Sequence, residues 1–176
     1  KVSNVFRDEE GTFWMSTRGN DLIAWNASIK YSQVWRFGIV KESGDRIFPI
    51  AEDRHKNIWF GFPLKGLFVL EKSSGRTTNY INNPNDATSL AHNTVNHIFK
   101  DRNDIMWLST YKGVSKFDGA EQPFQYTRPY LNRSATEESP PIKSFYEDRL
   151  GNIWLGTEAG LLYYAKDSSS YIEIPV

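Results

Sequence analysis

The chain contains no cysteine. That absence removes disulfides, thiolate zinc sites, iron–sulfur clusters and cysteine nucleophiles together. There is also no surplus of charge of either sign, because 21 Lys+Arg stand against 21 Asp+Glu. A protein that neutralises phosphates needs a basic excess, so neither nucleic acid nor an anionic membrane surface is an expected partner. No apolar run approaches the roughly 18 residues of a membrane span. The longest runs, Ile58 to Phe62 and Leu67 to Leu70, have the length of strands. No window of about 10–12 residues carries a 3.6-residue apolar period, so little or no helix is expected. Glycine-rich phosphate loops and Gly-x-Ser-x-Gly elbows are missing. The three histidines, His55, His92 and His97, have no metal-ligand spacing and read as turn or surface residues. No cofactor or metal is expected. What is abundant is aromatic: 6 Trp, 9 Tyr and 11 Phe in 176 residues, mixed with 24% charged residues. That composition fits one folded domain with a sizeable core and not a disordered segment.

The text repeats itself. An Asp is followed six positions later by a Trp at Asp8/Trp14, Asp53/Trp59, Asp101/Trp107 and Asp148/Trp154, and successive Trp residues lie 45, 48 and 47 positions apart. Each Asp closes a short apolar or aromatic stretch: Val5-Phe6-Arg7, Ile50-Ala51-Glu52, Ile98-Phe99-Lys100 and Phe145-Tyr146-Glu147. Two positions after each Trp stands a small residue, namely Ser16, Gly61, Ser109 and Gly156. A Gly or Asn (Asn20, Gly66, Gly113, Gly160) then precedes a further apolar run.

Each copy parses into four strands. The stretch before the Asp reads as the first strand. The segment from Asp to Trp is a turn, since Asp bonds backbone two residues on and Gly or Asn accepts positive φ. The Trp begins the second strand, the apolar run after the Gly is the third, and a stretch such as residues 77–81 is the fourth. Four antiparallel strands per unit of about 40–50 residues make the blade of a β-propeller, in which sheets bury one another around an axis. The fold expected is therefore all-β, with four four-stranded antiparallel blades at about residues 1–44, 45–93, 94–140 and 141–176. The Trp residues should pack between blades, with the small residue two positions later where sheets approach closely. An unclosed arc of four blades exposes apolar faces at both ends, so this chain, opening at Lys1, is expected to be an excerpt of a larger propeller whose remaining blades cover them.

The run from Glu147-Asp148-Arg149-Leu150-Gly151-Asn152-Ile153-Trp154-Leu155-Gly156-Thr157 to Gly160-Leu161 resembles the two-component regulator propeller repeat. So do Glu52-Asp53 with Ile58-Trp59-Phe60-Gly61 and Lys65-Gly66-Leu67, and the linker Asn82-Asn83-Pro84-Asn85-Asp86-Ala87-Thr88-Ser89-Leu90 leading to Asn93-Thr94-Val95. The first and third copies depart, with Thr12-Phe13 and Ile105-Met106 in place of the Asn-Ile pair. The resemblance implies a seven-bladed propeller in the periplasmic sensor of a hybrid histidine kinase. It implies a homodimer in the full-length protein, an oligosaccharide ligand, and no catalysis or membrane contact by this segment.

In a meander with the first strand innermost, the second-to-third and fourth-to-first connections share one face, and the Asp-to-Trp turns lie on the other. The first face carries the loops in which the copies differ most, including residues 38–45, 82–93 and 127–141. Loops on a rigid scaffold carry function. Sugar recognition needs aromatic planes and polar groups, which Arg18, Lys65, Tyr111, Lys112, Arg128, Tyr130, Asn132 and Arg133 supply. The adjacent carboxylates Glu52/Asp53 and Glu147/Asp148 are of the type a glycosidase uses, but neighbours on a strand point to opposite faces, and their recurrence at a turn favours a structural role. A carbohydrate-active propeller enzyme is the second reading, weakened because Asp8/Gly11 and Asp148/Gly151 are three apart where a sialidase-type Asp box needs two. A protein-interaction scaffold is the third.

Overall fold

The computed structural model describes residues 2–17, 21–37, 49–119, 124–127, 129 and 141–174. Among them the chain forms four antiparallel four-stranded sheets and no helix. The first sheet holds β1 (Val2–Arg7), β2 (Phe13–Thr17), β3 (Asp21–Asn26) and β4 (Tyr31–Arg36). The second holds β5 (Ile50–Glu52), β6 (Ile58–Phe62), β7 (Gly66–Leu70) and β8 (Thr77–Tyr80). The third holds β9 (Val95–Lys100), β10 (Met106–Thr110), β11 (Gly113–Phe117) and β12 (Gln125–Thr127), and the fourth β13 (Ile142–Glu147), β14 (Ile153–Thr157), β15 (Gly160–Ala165) and β16 (Ser170–Ile174). Within each sheet the strands pair in chain order, as a meander joined by short turns must.

The Asp of each repeat works in two directions. One carboxylate oxygen closes the turn, accepting the backbone N–H four residues on: Thr12, Asn57, Ile105 and Asn152, at 2.7, 2.8, 2.9 and 3.0 Å. In three copies the same oxygen also accepts the N–H two residues on, from His55, Asn103 and Leu150. The other oxygen accepts the indole N–H of the Trp six residues on, at 2.9, 2.8, 2.9 and 3.1 Å for Trp14, Trp59, Trp107 and Trp154. The constant spacing of six is thus the reach from a turn carboxylate to an indole on the next strand. The turn needs a positive φ at its fourth position, supplied by Gly11 and Gly151 and, in the second and third copies, by Lys56 and Asp104 at 67° and 62°.

These bonds have a pH consequence at the fourth turn. Desolvation alone would raise the Asp148 carboxyl, but the Asn152 side chain, the Trp154 indole and the backbone amides of Asn152 and Leu150 pull it down to about 2. A carboxylate whose folded value lies below its unfolded one stabilises the fold above roughly pH 4, and that contribution is lost as pH falls through the folded value. A carbon-13 titration of Asp148 is therefore expected to give a midpoint of about 2. A midpoint at the ordinary value of about 3.9 would show that the turn does not hold these bonds in solution.

Three buried clusters join successive sheets, and each contains one repeat Trp from the earlier sheet. Trp14, Leu22 and Ala24 pack on Ile50, Ile58, Phe60, Phe62 and Leu70. Trp59 and Leu67 pack on Val95, Ile98, Met106 and Leu108, and Trp107 and Val114 on Ile142, Phe145, Ile153, Leu155, Leu162 and Tyr164. The small residues sit where sheets meet closely: the Ser109 hydroxyl donates to the Ile142 carbonyl of the next sheet at 3.1 Å. A Cβ on Gly61 would lie 3.3 Å from the Val95 side chain. In the fourth sheet the matching cross-strand row is Tyr146, Trp154, Tyr163 and Ile172. Tyr146 is 64% and Ile172 48% exposed, and no buried cluster among the described residues covers that row.

Charged clamps tie the turns of neighbouring sheets. Glu52, on the second sheet, accepts the backbone N–H of Glu9 from the first turn at 2.9 Å. Glu147, on the fourth, accepts that of Arg102 from the third turn at 2.8 Å and pairs with its guanidinium at 3.1 Å. In both places the Glu beside the repeat Asp faces the preceding sheet while the Asp faces its own Trp. The Lys72 ammonium, in the β7–β8 turn, bonds Asp8 at 3.0 Å and Glu10 and Glu52 at 2.9 Å each. Desolvation works against that charge, but the three carboxylates outweigh it and hold Lys72 well above the ordinary lysine value. Burial likewise works against the charged form of Asp8, and the Trp14 indole, the Thr12 amide and Lys72 overcome it, leaving this carboxyl below its usual value.

Candidate functional site

The Asp–Trp face is consumed by turns, indole anchors and clamps. The opposite face carries the β2–β3, β6–β7, β10–β11 and β14–β15 hairpin loops and the links between sheets. Its hairpins are pinned. Thr110 and Thr157 hydroxyls donate to the Gly113 and Gly160 carbonyls at 3.0 and 2.9 Å, and both glycines hold φ near the left-handed limit, at 138° and 133°. Gly66 is enforced more strictly, since a Cβ there would meet the Tyr80 carbonyl at 2.2 Å.

On this face a cavity of about 390 Å³ opens where the second, third and fourth sheets converge. It is lined by Pro63 from the β6–β7 loop, Thr94 to Asn96 at the start of β9, Tyr111 from the β10–β11 loop, and Ile142 and Lys143 at the start of β13. The Tyr111 ring is 49% exposed and lies 5.5 Å from the His92 ring. Lys143 pairs with Glu158 of the β14–β15 loop at 2.7 Å. The Asn96 side-chain nitrogen is buried and has no hydrogen-bond partner.

The innermost strands are irregular at matching positions. In β1 the pairing skips Ser3, in β9 it skips Asn96, and in β13 it skips Lys143. Each of these bulges falls five residues before the repeat Asp. A bulge adds one unpaired residue and re-aims its side chain.

Of the sequence candidates, Tyr111 lines the cavity. Lys112, its neighbour, lines a different one with Asn82, Asp86, Ser89 and Tyr126, so the two diverge on either side of one hairpin. Lys65 is exposed on the β6–β7 loop and lines neither. Arg18, Arg128, Tyr130, Asn132 and Arg133 lie outside the described residues, as does the loop at residues 38–45. Residues 82–93, read from sequence as a recognition loop, are bound into the scaffold. The Asn82 amide donates to the Leu90 carbonyl at 2.7 Å, the Asn82 N–H is accepted by Asn93 at 2.6 Å, and Asp86 and Asn83 cap further N–H groups. Leu90 is fully buried in the cluster between the second and third sheets.

Asn96 and Lys143 were not singled out by sequence reasoning. No sequence signal marked them, because the adjoining position of the repeat (Asn4, Pro49, His97 and Ser144) varies as widely. His97, expected at a turn or on the surface, instead sits on the inner strand β9 against Phe145 at 5.7 Å, and burial lowers its imidazole below the usual value. Among the described residues no group of three His, Asp or Glu side chains is placed to hold a metal ion, and no helix is long and apolar enough to cross a membrane.

Residues 89–112 and 136–159 match the family described as two component regulator propeller. No curated protein matches it. Among solved structures, the extracellular domain of the hybrid two component system BT3049 from B. thetaiotaomicron aligns with 99% of this chain and 24% of its own, at TM-score 0.76 and 20% identity. PorZ, a surface component of the type-IX secretion system of Porphyromonas gingivalis, aligns with 99% of this chain and 27% of its own, at TM-score 0.72 and 15% identity. Virginiamycin B lyase from Staphylococcus aureus aligns with 100% of this chain and 56% of its own, at TM-score 0.71 and 11% identity. At such identities the likeness is one of fold, and it makes the four sheets blades of a propeller. The chain spans about a quarter of the length of the first two structures.

Proposed function

We propose, from the match of residues 89–112 and 136–159 to the two-component regulator propeller family, that the chain is a non-enzymatic part of the periplasmic sensor of a hybrid histidine kinase. Its ligand is an oligosaccharide taken on the loop face, and it signals through rearrangement of a dimer. The observation that carries this reading is the cavity at the convergence of three blades, which offers an exposed tyrosine ring beside amide, ammonium and carboxylate groups. Its volume of about 390 Å³ falls within the ~300–1,000 Å³ of small-ligand sites. Lys65, Lys112, Arg18, Arg128, Tyr130, Asn132 and Arg133 remain candidate contacts for sugar units extending from it. A further blade covers the Tyr146–Trp154–Tyr163–Ile172 row, repeating what the second, third and fourth sheets do for the rows before it.

A ligand shifts the dimer only as far as it binds the signalling arrangement better than the resting one. The test is calorimetric titration of the full-length protein with neutral and acidic oligosaccharides. Saturable binding by at least one glycan, with a matching change in kinase autophosphorylation, is expected. Silence across a broad panel would contradict the reading.

A further inference from the structure

We infer that the bulged residues of the inner strands, Asn96 and Lys143, are the positions that read the ligand at the loop-face mouth, and that with Tyr111 they take an uncharged sugar residue. The inference rests on the oligosaccharide reading above and goes beyond it to the residues and the charge class.

Three observations converge. The first is the recurrence of the bulge. It appears in β1, β9 and β13 at the same place in the repeat, while the equivalent position in the second copy, Phe48, lies outside the described residues. A bulge frees a side chain from the in-and-out alternation of the strand, so the residue there is not fixed by core packing. The occupants differ, as Ser3, Asn96 and Lys143. Two of them, Asn96 and Lys143, line the cavity.

The second is the unpartnered Asn96 amide nitrogen. A buried donor left unmade is destabilising, so native structures keep few of them. Turning this amide toward the cavity breaks no bond of its nitrogen, and a ligand hydroxyl then supplies the missing acceptor.

The third is charge. Lys143 is already paired with Glu158 at 2.7 Å. A sugar carboxylate or sulfate approaching the ammonium would meet the Glu158 carboxylate beside it, whereas a hydroxyl accepts from one and donates to the other. The exposed Tyr111 ring at the cavity edge gives the apolar face of a sugar ring a surface to lie on.

The experiment measures binding of cellohexaose, maltohexaose, mannohexaose, xylohexaose and hexagalacturonate to the full-length protein, with the variants Asn96→Ala, Lys143→Met and, on the opposite face, Lys166→Met. Expected is binding of a neutral hexasaccharide that weakens at least tenfold in Asn96→Ala and in Lys143→Met and is unchanged in Lys166→Met. The melting temperature of Asn96→Ala should not fall, because the variant removes an unsatisfied donor; a purely structural asparagine would show a fall without a change in affinity. Neutral-sugar binding indifferent to both cavity variants would overturn the inference and leave the sensor reading standing. Preference for hexagalacturonate would overturn the charge assignment. Failure of every sugar to bind would overturn both readings together.

Discussion

Replacing Trp107 with alanine is expected to destabilise the protein by about 3–5 kcal/mol, the range for truncating a large core aromatic. The indole is 2% exposed and sits between the third and fourth blades. It packs edge-on to Tyr164 with centroids 5.0 Å apart and lies 6.5 Å from Phe145, and the Lys116 ammonium stands over its ring at 4.7 Å. Its N–H satisfies the Asp101 carboxylate at 2.9 Å. Alanine removes all of these and leaves a void whose walls are two hydrogen-bonded sheets, which cannot close in. Trp154→Ala is expected to cost less in this segment, because no buried cluster among the described residues covers that indole. Urea denaturation of the Trp107 variant showing a loss below about 1 kcal/mol would mean that the repeat tryptophans do not hold blades together.

Lys72→Met is expected to be comparably damaging for the opposite reason. Asp8 and Glu52 have side chains 0% and 2% exposed, and both bond this one ammonium, itself 17% exposed. Removing it leaves carboxylates in a dry setting without a counter-charge, a change that costs about 3–5 kcal/mol when a buried pair is broken. The sign with pH is distinctive. Without Lys72 the Asp8 carboxyl loses one of the interactions that hold it down against burial, so its folded value rises. The destabilisation is then greatest at neutral pH and shrinks as the sample is acidified and that carboxyl takes up a proton. A deficit that does not vary with pH would contradict the clamp. Glu9, reached by Lys56 and by Lys100 at 3.4 Å, is 61% exposed, and exposed pairs of that kind contribute little.

The blade pattern was readable because it is written four times. The Asp-to-Trp spacing, the apolar stretch before each Asp and the small residue after each Trp together gave the strands, their order and the all-β propeller class. The turn role of Asp was legible from its chemistry. Its second role, as acceptor for the indole, is implied by the fixed spacing of six but becomes explicit only when the strand returns alongside. Lys72 was not legible at all: it occurs once, and it joins residues 64, 62 and 20 positions away. Residues 82–93 were legible as a connection of the loop face and as a family-like linker; that their side chains spend their polarity capping their own backbone was not. Asn96 and Lys143 escaped notice because a bulge is a property of pairing register, which no single strand's sequence displays.

Each of the first three blades, then, is held by an indole fastened to its own turn and buried by its neighbour, and hydrogen exchange of the indole N–H groups reads that arrangement residue by residue. Trp14, Trp59 and Trp107, each 2% exposed, are predicted to exchange only on cooperative unfolding, while Trp25, at 46%, exchanges rapidly. Exchange of Trp59 and Trp107 as fast as that of Trp25 would contradict it.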